Sequence, residues 1–240
     1  MTRLQFDHLV LIVRDQLDQL APCFEHDGYY LTDVSVHNLG SMNRLITLDT
    51  SYIELLGWPS GKPPARKEIA DSPLGMDALV FRSYDAHETY EYLKRSGFDV
   101  NPVQRLERPL QIAGETHMAR FDTVRFATQP IPGFRVYFCH HLTPEYLWAP
   151  EFMHHSNDVK DVSRIAIESP EAAVTAQALA TLVKQDPPVA ADNTYQIRLP
   201  NVLLTVSQQS VSTVAKLAEI QLSHRDGRHS FFNSHLNPRV

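Results

Sequence analysis

This sequence of 240 residues has few cysteines, no long apolar runs and no excess of positive charge. With only two cysteines, at most one disulfide can form, and a reducing cytoplasm is the expected location. The apolar runs span about five residues, far fewer than the roughly 20 of a membrane helix, and no secretory signal pattern is visible. The 22 Lys and Arg against 28 Asp and Glu give a net charge of −6, which offers no basic field to a phosphate backbone. We therefore expect no membrane partner and no nucleic-acid partner.

Several catalytic motifs are absent as well. The sequence has no phosphate-cradling glycine loop, no Gly-x-Ser-x-Gly nucleophile turn and no Cys-x-x-Cys pair, which disfavours nucleotide hydrolysis and serine hydrolase chemistry. The composition, 43% hydrophobic and 21% charged, is that of an ordinary globular protein with a sizeable core. Such a chain needs no metal for its stability, so a metal here would serve function. The 12 histidines are the first chemical signal, and several of them form adjacent pairs.

An internal repeat organises the chain, and each copy starts with a strand followed by a helix. The predicted strands are 7–13, 77–81 and 162–167, and the predicted helices are 15–27, 85–96 and 170–184. Further strands follow each helix: 29–36, 41–49 and 52–56 in the first copy, 100–106, 123–127 and 134–140 in the second, and 195–199, 202–206 and 217–223 in the third. The pattern predicts an α+β fold of repeated β-α-β-β-β modules, forming a curled mixed sheet around a cavity.

Module boundaries follow from this pattern. They are a first module at 1–58, a linker at 59–73, a second module at 74–141, a connection at 142–161, a third and divergent module at 162–223 and a tail at 224–240. Prolines in the linker argue against a helix or a central strand there. The long polar stretch 107–121 indicates an excursion from the second module. The connection carries Trp148 and other apolar residues that are costly to expose, so it is interpreted as a pocket wall.

Two polar residues interrupt the strands of the first copy. Under strand alternation His8 shares a face with Val10, and Glu54 shares one with Tyr52, so both side chains would point into the cavity. The last strand of the second copy ends in the histidine pair His140 and His141, and one of these two is the candidate third ligand. Two imidazoles and one carboxylate facing an open cavity suit divalent iron, manganese, zinc or nickel. The alternative is that each histidine is an ordinary hydrogen-bonded residue of the core or rim.

Three segments resemble the vicinal oxygen chelate superfamily, and more narrowly its glyoxalase-like domain group: residues 6–13, 39–46 and 52–56. Residues 140–150 and 155–157 are similar to that group too. The resemblance implies paired β-α-β-β-β modules whose first and last strands supply the metal ligands. It implies His8 and Glu54 as ligands from the first module and His140 from the second. Ala78, which matches His8 in the second copy, departs from the pattern and leaves at most three protein ligands, and some members of the superfamily bind no metal.

Other residues are candidates for substrate handling. His141, His154 and His155 are candidate general bases, because an ordinary histidine pKa near 6.5 suits proton transfer at neutral pH. Tandem histidines alternate direction along a strand, so only one of His140 and His141 can face the cavity. The candidate pocket residues are Asn43, Arg44, Tyr52, Phe138 and Trp148. The alternative interpretation of Arg44 is a surface ion pair with Asp49.

Three functions compete. The leading hypothesis is a divalent-metal enzyme of the glyoxalase and dioxygenase type, which acts on a small oxygen-rich molecule by Lewis-acid catalysis. The second is a metal-free protein that binds or sequesters a small molecule in the same cavity, lined by Tyr52, Phe138 and Trp148. The third is an interaction scaffold that docks through the tail around Phe231 and Phe232. The unpaired third module either packs on the first two or pairs across a homodimer.

Overall fold

The strands and helices alternate along the chain as the repeat predicts. The computed structural model describes residues 4–36 and 40–236, so Leu39, the first residue of the segment 39–46, lies outside the described residues, as do the ends of the first module and of the tail. The elements of the first module and the linker are β1 (Gln5–Arg14), α1 (Leu17–His26), β2 (Ser35–Val36), β3 (Met42–Thr47), β4 (Tyr52–Gly57) and α2 (Lys67–Ala70). Those of the second are β5 (Gly75–Arg82), α3 (Ala86–Arg95), β6 (Gln104–Ile112), β7 (Glu115–Arg125) and β8 (Arg135–His141). The rest are α4 (Pro144–Leu147), a 3-10 turn (Pro150–Phe152), β9 (Val159–Ser169), α5 (Ala172–Leu182), β10 (Ala190–Ala191), β11 (Thr194–Arg198), β12 (Leu203–Gln208), β13 (Lys216–His224) and β14 (His229–Phe231).

The first two modules share one sheet of eight strands in the order β2-β3-β4-β1-β5-β8-β7-β6. In each module the first strand runs parallel to the last, β1 with β4 and β5 with β8, and the two first strands pair antiparallel. The edges of the sheet approach each other where the Ser35 hydroxyl donates to the Pro109 carbonyl at 2.7 Å. The sheet therefore curls into a nearly closed barrel, which confirms the predicted α+β fold class.

Strand register shows which positions of the two modules are equivalent. Val10 pairs with Glu54 in the first module, and Val80 pairs with Tyr137 in the second. Two residues earlier along each first strand, His8 and Ala78 occupy matching places. The register therefore makes Ala78 the counterpart of His8 and Tyr137 the counterpart of Glu54.

Each first strand also carries a β-bulge at an aspartate. The pairing of β1 with β5 passes from Phe6 to His8 and leaves Asp7 unpaired, and the pairing of β5 with β1 skips Asp77 in the same way. A bulge adds one residue to a strand and turns its side chain out of the regular alternation. Asp7 consequently reaches the barrel interior, although it directly precedes His8.

The outer face of the barrel is the apolar core of the protein. Leu9 and Leu11 of β1 are fully buried there, with Phe24 of α1 and Ile165 of β9 in the same cluster. Helix α3 is capped by the Asp85 carboxylate, which accepts hydrogen bonds from two backbone N–H groups of its first turn. The third module packs on this face, so its apolar surface is covered within the chain.

The third module has the predicted strand and helix pattern, but one strand is assigned differently. Its sheet has the order β10-β11-β12-β9-β13-β14, with β12 parallel to β9 as β4 is to β1. The short β10 completes the β-α-β-β-β unit. The segment 217–223, predicted as the last strand of this module, belongs to β13, which pairs antiparallel with β9 as β5 does with β1. It is therefore the equivalent of the first strand of a further module.

Three connecting regions differ from the sequence-based expectation. The stretch 107–121, predicted as an excursion, belongs to the β6–β7 hairpin, which turns where Ala113 and Gly114 adopt positive φ. The linker holds the single-turn helix α2, because residues 67–70 lie between its prolines. In the tail, Phe232 stacks on Phe24 at 5.7 Å, so part of the segment proposed for docking is covered by its own chain. Among the helices of the described residues, none has the length and apolar character to cross a membrane.

Candidate active site in the barrel

The barrel encloses a pocket of about 650 Å³, including its open mouth. Its lining combines apolar side chains with convergent polar groups, which is the usual character of small-molecule sites. The polar and charged lining residues are His8, Ser41, Asn43, Tyr52, Glu54, Arg66, Arg108, Thr123, Arg125, Arg135, Tyr137 and Cys139. The predicted convergence of His8 and Glu54 is present, with His8 Nε2 3.7 Å from Glu54 Oε2.

The His8 ring is held on three sides. Its Nδ1 lies 2.7 Å from Asp7 Oδ2 and its Nε2 lies 3.0 Å from the Tyr137 hydroxyl. Tyr52 stacks on the ring with centroids 4.2 Å apart and planes 14° from parallel. Because a carboxylate only accepts, the Nδ1 proton donates to Asp7, and in the tautomer that carries only this proton the Nε2 lone pair points toward Tyr137 and Glu54. A carboxylate behind a histidine in this way is also the common support of a metal-binding imidazole.

Asp7 is the electrostatic centre of the site. It is fully buried, and besides His8 it binds His141 Nε2 at 2.8 Å and Arg82 Nε at 2.7 Å. Burial alone would raise the pKa of Asp7, but the neighbouring His141 and His8 hold this pKa well below 3.8. Asp7 is therefore an ionised carboxylate that fixes two histidines at once.

Glu54 is oriented by its neighbour on β3. The Asn43 amide donates to Glu54 Oε1, which leaves Oε2 as the oxygen nearer His8. Both side chains are buried, so this contact is shielded from solvent. Asn43 thus lies in the pocket as predicted and acts on Glu54 directly.

The donor set fits a divalent metal on the side of the first module. Metal–ligand bonds of about 2.1 Å allow one cation to reach donor atoms as far apart as His8 Nε2 and Glu54 Oε2. The second module offers fewer metal-ligand atoms, because the Ala78 side chain has none and Tyr137 provides only a hydroxyl. Burial raises the pKa of Tyr137 well above 10, so its phenol keeps its proton. His8 and Glu54 are therefore the two residues of this pocket that could hold a metal together, with Tyr137 beside them.

A second group of potential ligands is explained without a metal. Ligand atoms of Asp7, Cys139 and His141 lie within 4.8 Å of one another. The Asp7 oxygens, however, already accept hydrogen bonds from three side chains. Burial raises the pKa of the Cys139 thiol well above 9.0, so it is neither a ready thiolate ligand nor a nucleophile. This group is a hydrogen-bond network.

The two tandem histidines of β8 point in opposite directions, and the structure corrects the choice between them. Tyr137 and Cys139 line the pocket, and alternation places His141 on their side. His140 falls on the outer face, near Asp85 at the start of α3. The expectation that His140 is the third metal ligand is therefore not supported, because its side chain faces away from Glu54.

The other paired histidines also lie outside the pocket. His154 is exposed, on the turn before β9. His155 is buried, and both of its nitrogens are used: Nδ1 accepts from the Tyr30 N–H at 2.9 Å, and Nε2 donates to the Thr47 carbonyl at 2.7 Å. Neither is placed to act as a general base for a ligand in the barrel. His155 instead attaches the connection 142–161 to the first module through its hydrogen bonds with Tyr30 and Thr47.

Two predicted pocket residues lie on the wrong side of the sheet. Arg44 donates to the Thr32 carbonyl at 2.7 Å and pairs with Glu25, so its ion-pair partner is not Asp49. Phe138 is 1% exposed and packs against Phe81 in the outer core. Both corrections follow from strand alternation, which sends these two side chains away from the barrel axis.

Tyr52 and Trp148 are close to the site. Tyr52 lines the pocket, as predicted. Trp148 lies one layer behind, with its ring 5.9 Å from Tyr52 and 5.2 Å from His141. Its indole also lies under the Arg82 guanidinium at 4.3 Å. The connection 142–161 thus supports the polar network from outside the cavity.

Sequence reasoning missed three site residues: Asp7, Tyr137 and Arg108. Tyr137 was detectable, because aligning the last strands of the two modules places it opposite Glu54. Asp7 was hidden by its bulge, since regular alternation sends it to the outer face. Arg108 was hidden because its strand was interpreted as a polar excursion.

The comparisons with known proteins agree with this architecture. A family model described as a glyoxalase-like domain matches residues 6–183. No curated protein matches the sequence. Among solved structures, a hypothetical protein from Staphylococcus aureus has a TM-score of 0.75 at 14% identity, covering 92% of this chain and 91% of the other.

Two more distant structures share the fold. 4-Hydroxymandelate synthase from Streptomyces coelicolor, solved as a mutant, has a TM-score of 0.55 at 12% identity, covering 87% of this chain and 63% of the other. A fusion of a xylose isomerase-like TIM barrel with 4-hydroxyphenylpyruvate dioxygenase has a TM-score of 0.54 at 12% identity, covering 93% of this chain and 37% of that one. At such identities the likeness concerns the fold alone. The chain belongs to the glyoxalase-like domain family.

Proposed function

We propose that this protein is a divalent-metal-dependent enzyme that acts on a small oxygen-rich molecule inside the barrel. The observation that carries the proposal is the convergence of His8 and Glu54, 3.7 Å apart, on one pocket. The two residues come from different strands of the first module, and each is oriented by a neighbour, His8 by Asp7 and Glu54 by Asn43. Such preorganisation is typical of a reacting or ligating pair.

The residues have separate roles in this proposal. His8 and Glu54 would hold the metal, which when bound supplies a Lewis acid for polarising substrate oxygens. Asp7 keeps the proton on His8 Nδ1, so that the lone pair of Nε2 would be available to bind the metal. The Tyr137 phenol retains its proton and can donate it in a hydrogen bond to a negatively charged oxygen nearby.

A metal-free binding protein is the second candidate, and the second module favours it. Where the first module has His8 and Glu54, the second has Ala78 and a protonated Tyr137. In that case the contact of Tyr137 with His8 Nε2 is the resting state of the site, and Tyr52 supplies an aromatic wall for the ligand.

Elemental analysis of the purified full-length protein tests the leading proposal. We expect close to one equivalent of a divalent metal in the wild type, and its loss in His8→Ala and in Glu54→Ala. His140→Ala, whose side chain faces the outer core, is the matched control and should retain the metal. Equal metal contents in the wild type and both site variants would refute the assignment. A metal content that does not depend on His8 and Glu54, combined with a small molecule that raises the melting temperature in the presence of a chelator, would instead support the binding protein.

A further inference from the structure

The barrel pocket contains four arginines, and Arg108 differs from the other three. Arg66 pairs with Glu68 at 2.8 Å, Arg125 lies 3.9 Å from the same carboxylate, and Arg135 donates to Asp77 at 2.6 Å. Arg108 is 4% exposed, which makes it more deeply buried than any of them. Within residues 4–36 and 40–236, no hydrogen bond or ion pair reaches its guanidinium.

Strand β6 determines where this guanidinium points. Alternate residues Leu106, Arg108 and Leu110 face inward, and their neighbours Arg105 and Glu107 are exposed. Arg108 lines the pocket together with Glu54, Tyr52 and Cys139, and its charge interacts with that of Glu54. The guanidinium is therefore directed into the cavity that holds His8 and Glu54.

Such an arrangement is costly without a ligand. Removing a charged group from water without a hydrogen-bonding partner is strongly unfavourable, and burial lowers the pKa of Arg108 from its ordinary value. A guanidinium stays charged at neutral pH even so, and its planar fork of N–H donors matches the two oxygens of a carboxylate. A bound anion would supply the missing acceptors.

We propose that Arg108 is the anion-binding residue of the barrel and that the natural ligand carries a carboxylate. A single guanidinium suits one planar carboxylate. This inference rests on the proposed function for the identity of the site, but it concerns the ligand and not the metal. The carboxylate would anchor the ligand on β6 and leave its remaining part in the space beside His8, Tyr137 and Glu54.

Binding of benzoate to the purified full-length protein tests this proposal, with neutral benzamide as a probe of matched shape. Isothermal titration calorimetry is performed in metal-depleted buffer containing 1,10-phenanthroline, an uncharged chelator that does not compete as a carboxylate. We expect benzoate to bind the wild type at least tenfold more tightly than benzamide. Arg108→Gln should remove this preference, and Arg108→Lys should restore only part of it, since an ammonium lacks the planar fork. Arg105→Gln, on the exposed side of the same strand, is the matched control.

A stability measurement keeps the proposal falsifiable if a variant folds poorly. Arg108→Met replaces the unpartnered charge with an apolar chain of similar length, and we expect its ligand-free melting temperature to rise above that of the wild type. A fall would show that Arg108 holds the fold together and would overturn the proposal. Equal benzoate affinity in the wild type and Arg108→Gln, or no preference for benzoate over benzamide in the wild type, would overturn it as well. Phenylphosphonate binding more tightly than benzoate would overturn the carboxylate assignment in favour of a phosphonate or phosphate.

The two proposals fail separately. If the metal assignment fails, His8→Ala and Glu54→Ala have the same metal content as the wild type, and the benzoate preference persists. If the anion assignment fails, the metal content remains dependent on His8 and Glu54, whereas benzoate binding does not depend on Arg108.

Discussion

Asp7 and His141 lie 134 positions apart in the sequence and are joined side by side in the barrel, with His141 Nε2 3.1 and 2.8 Å from the two Asp7 oxygens. The contact links the first strand of one module to the last strand of the next. Because Asp7 also holds His8, a single buried carboxylate couples the proposed metal ligand to the second module. The network therefore connects the first two modules and also orients His8 in the site.

Replacing this carboxylate should harm stability and site alike. Asp7→Asn presents one oxygen where three donor groups need acceptors, and its amide protons would face those donors. We expect a loss of about 3 kcal/mol in the free energy of unfolding, as for a buried ion pair that loses one partner. Urea denaturation measures it, with the exposed Asp186→Asn as control. A change below about 0.5 kcal/mol, the range of ordinary surface substitutions, would contradict the network.

The opposite directions of the β8 histidines give a matched pair of variants. His141→Ala should remove one partner of Asp7 and lower both the melting temperature and the metal content. His140→Ala should leave the metal content unchanged, because that side chain lies outside the barrel near Asp85. Elemental analysis and differential scanning fluorimetry distinguish them. Metal loss in His140→Ala with retention in His141→Ala would show that His140, and not His141, faces the pocket.

His155 should make stability depend on pH. Desolvation by burial lowers its pKa below 6.5, and protonation of Nδ1 would break the bond from the Tyr30 N–H. The unfolded chain therefore takes up this proton at a higher pH than the folded protein. The contribution of neutral His155 is complete above pH 6.5 and is lost as the pH falls from 6.5 toward the lowered pKa.

Urea denaturation between pH 5 and pH 8 checks this expectation. His155→Gln should be less stable at pH 8 by about 1 kcal/mol, the usual value of a lost hydrogen bond. Its decline in stability on acidification should be shallower than that of the wild type. The neighbouring, exposed His154→Gln serves as the control and should follow the wild-type slope. Parallel slopes for wild type and His155→Gln would contradict a neutral, buried His155.

Asn201 should stabilise the attachment of the third module to β1. Its Oδ1 accepts from the Phe6 N–H at 3.1 Å, and its amide donates to the Phe6 carbonyl at 2.8 Å. Both bonds lie next to the Asp7 bulge, where regular strand pairing is interrupted. Asn201→Ala should cost about 2 kcal/mol for two hydrogen bonds and accelerate hydrogen exchange of the Phe6 amide. The exposed Asn101→Ala is the control, and an unchanged exchange rate at Phe6 would contradict this role.

Phe138 should matter for packing and not for binding. Phe138→Ala leaves a cavity among Phe81 and the other core aromatics and should destabilise by about 3 to 5 kcal/mol. Phe138→Leu is the milder test, and we expect its benzoate affinity to equal that of the wild type. The 59% exposed Phe231, replaced by Ala, should change neither quantity. A tenfold loss of benzoate affinity in Phe138→Leu would place this ring in the pocket after all.

The sequence was most informative where a feature repeats locally. The short apolar runs of β1 and β5, followed by helical patterns that stop before Gly28 and Gly97, identified the modules, because such runs and helix periods are properties of neighbouring residues. Strand alternation led from His8 and Glu54 to a shared cavity. It failed for β6, whose inward face includes a charged residue and therefore lacks the apolar signal of a strand.

The sequence by itself determined the modular α+β fold and the convergence of the His8 and Glu54 side chains on one cavity, since both follow from periodicity and from an internal repeat. Only the tertiary structure decided that Asp7 enters the barrel through a bulge, that His141 and not His140 meets it, and that the guanidinium of Arg108 is buried facing the cavity. Bulges and strand register depend on pairing between strands that are distant in the chain. The polar interior of the barrel is consequently a property of the assembled sheet, which neighbouring residues do not encode.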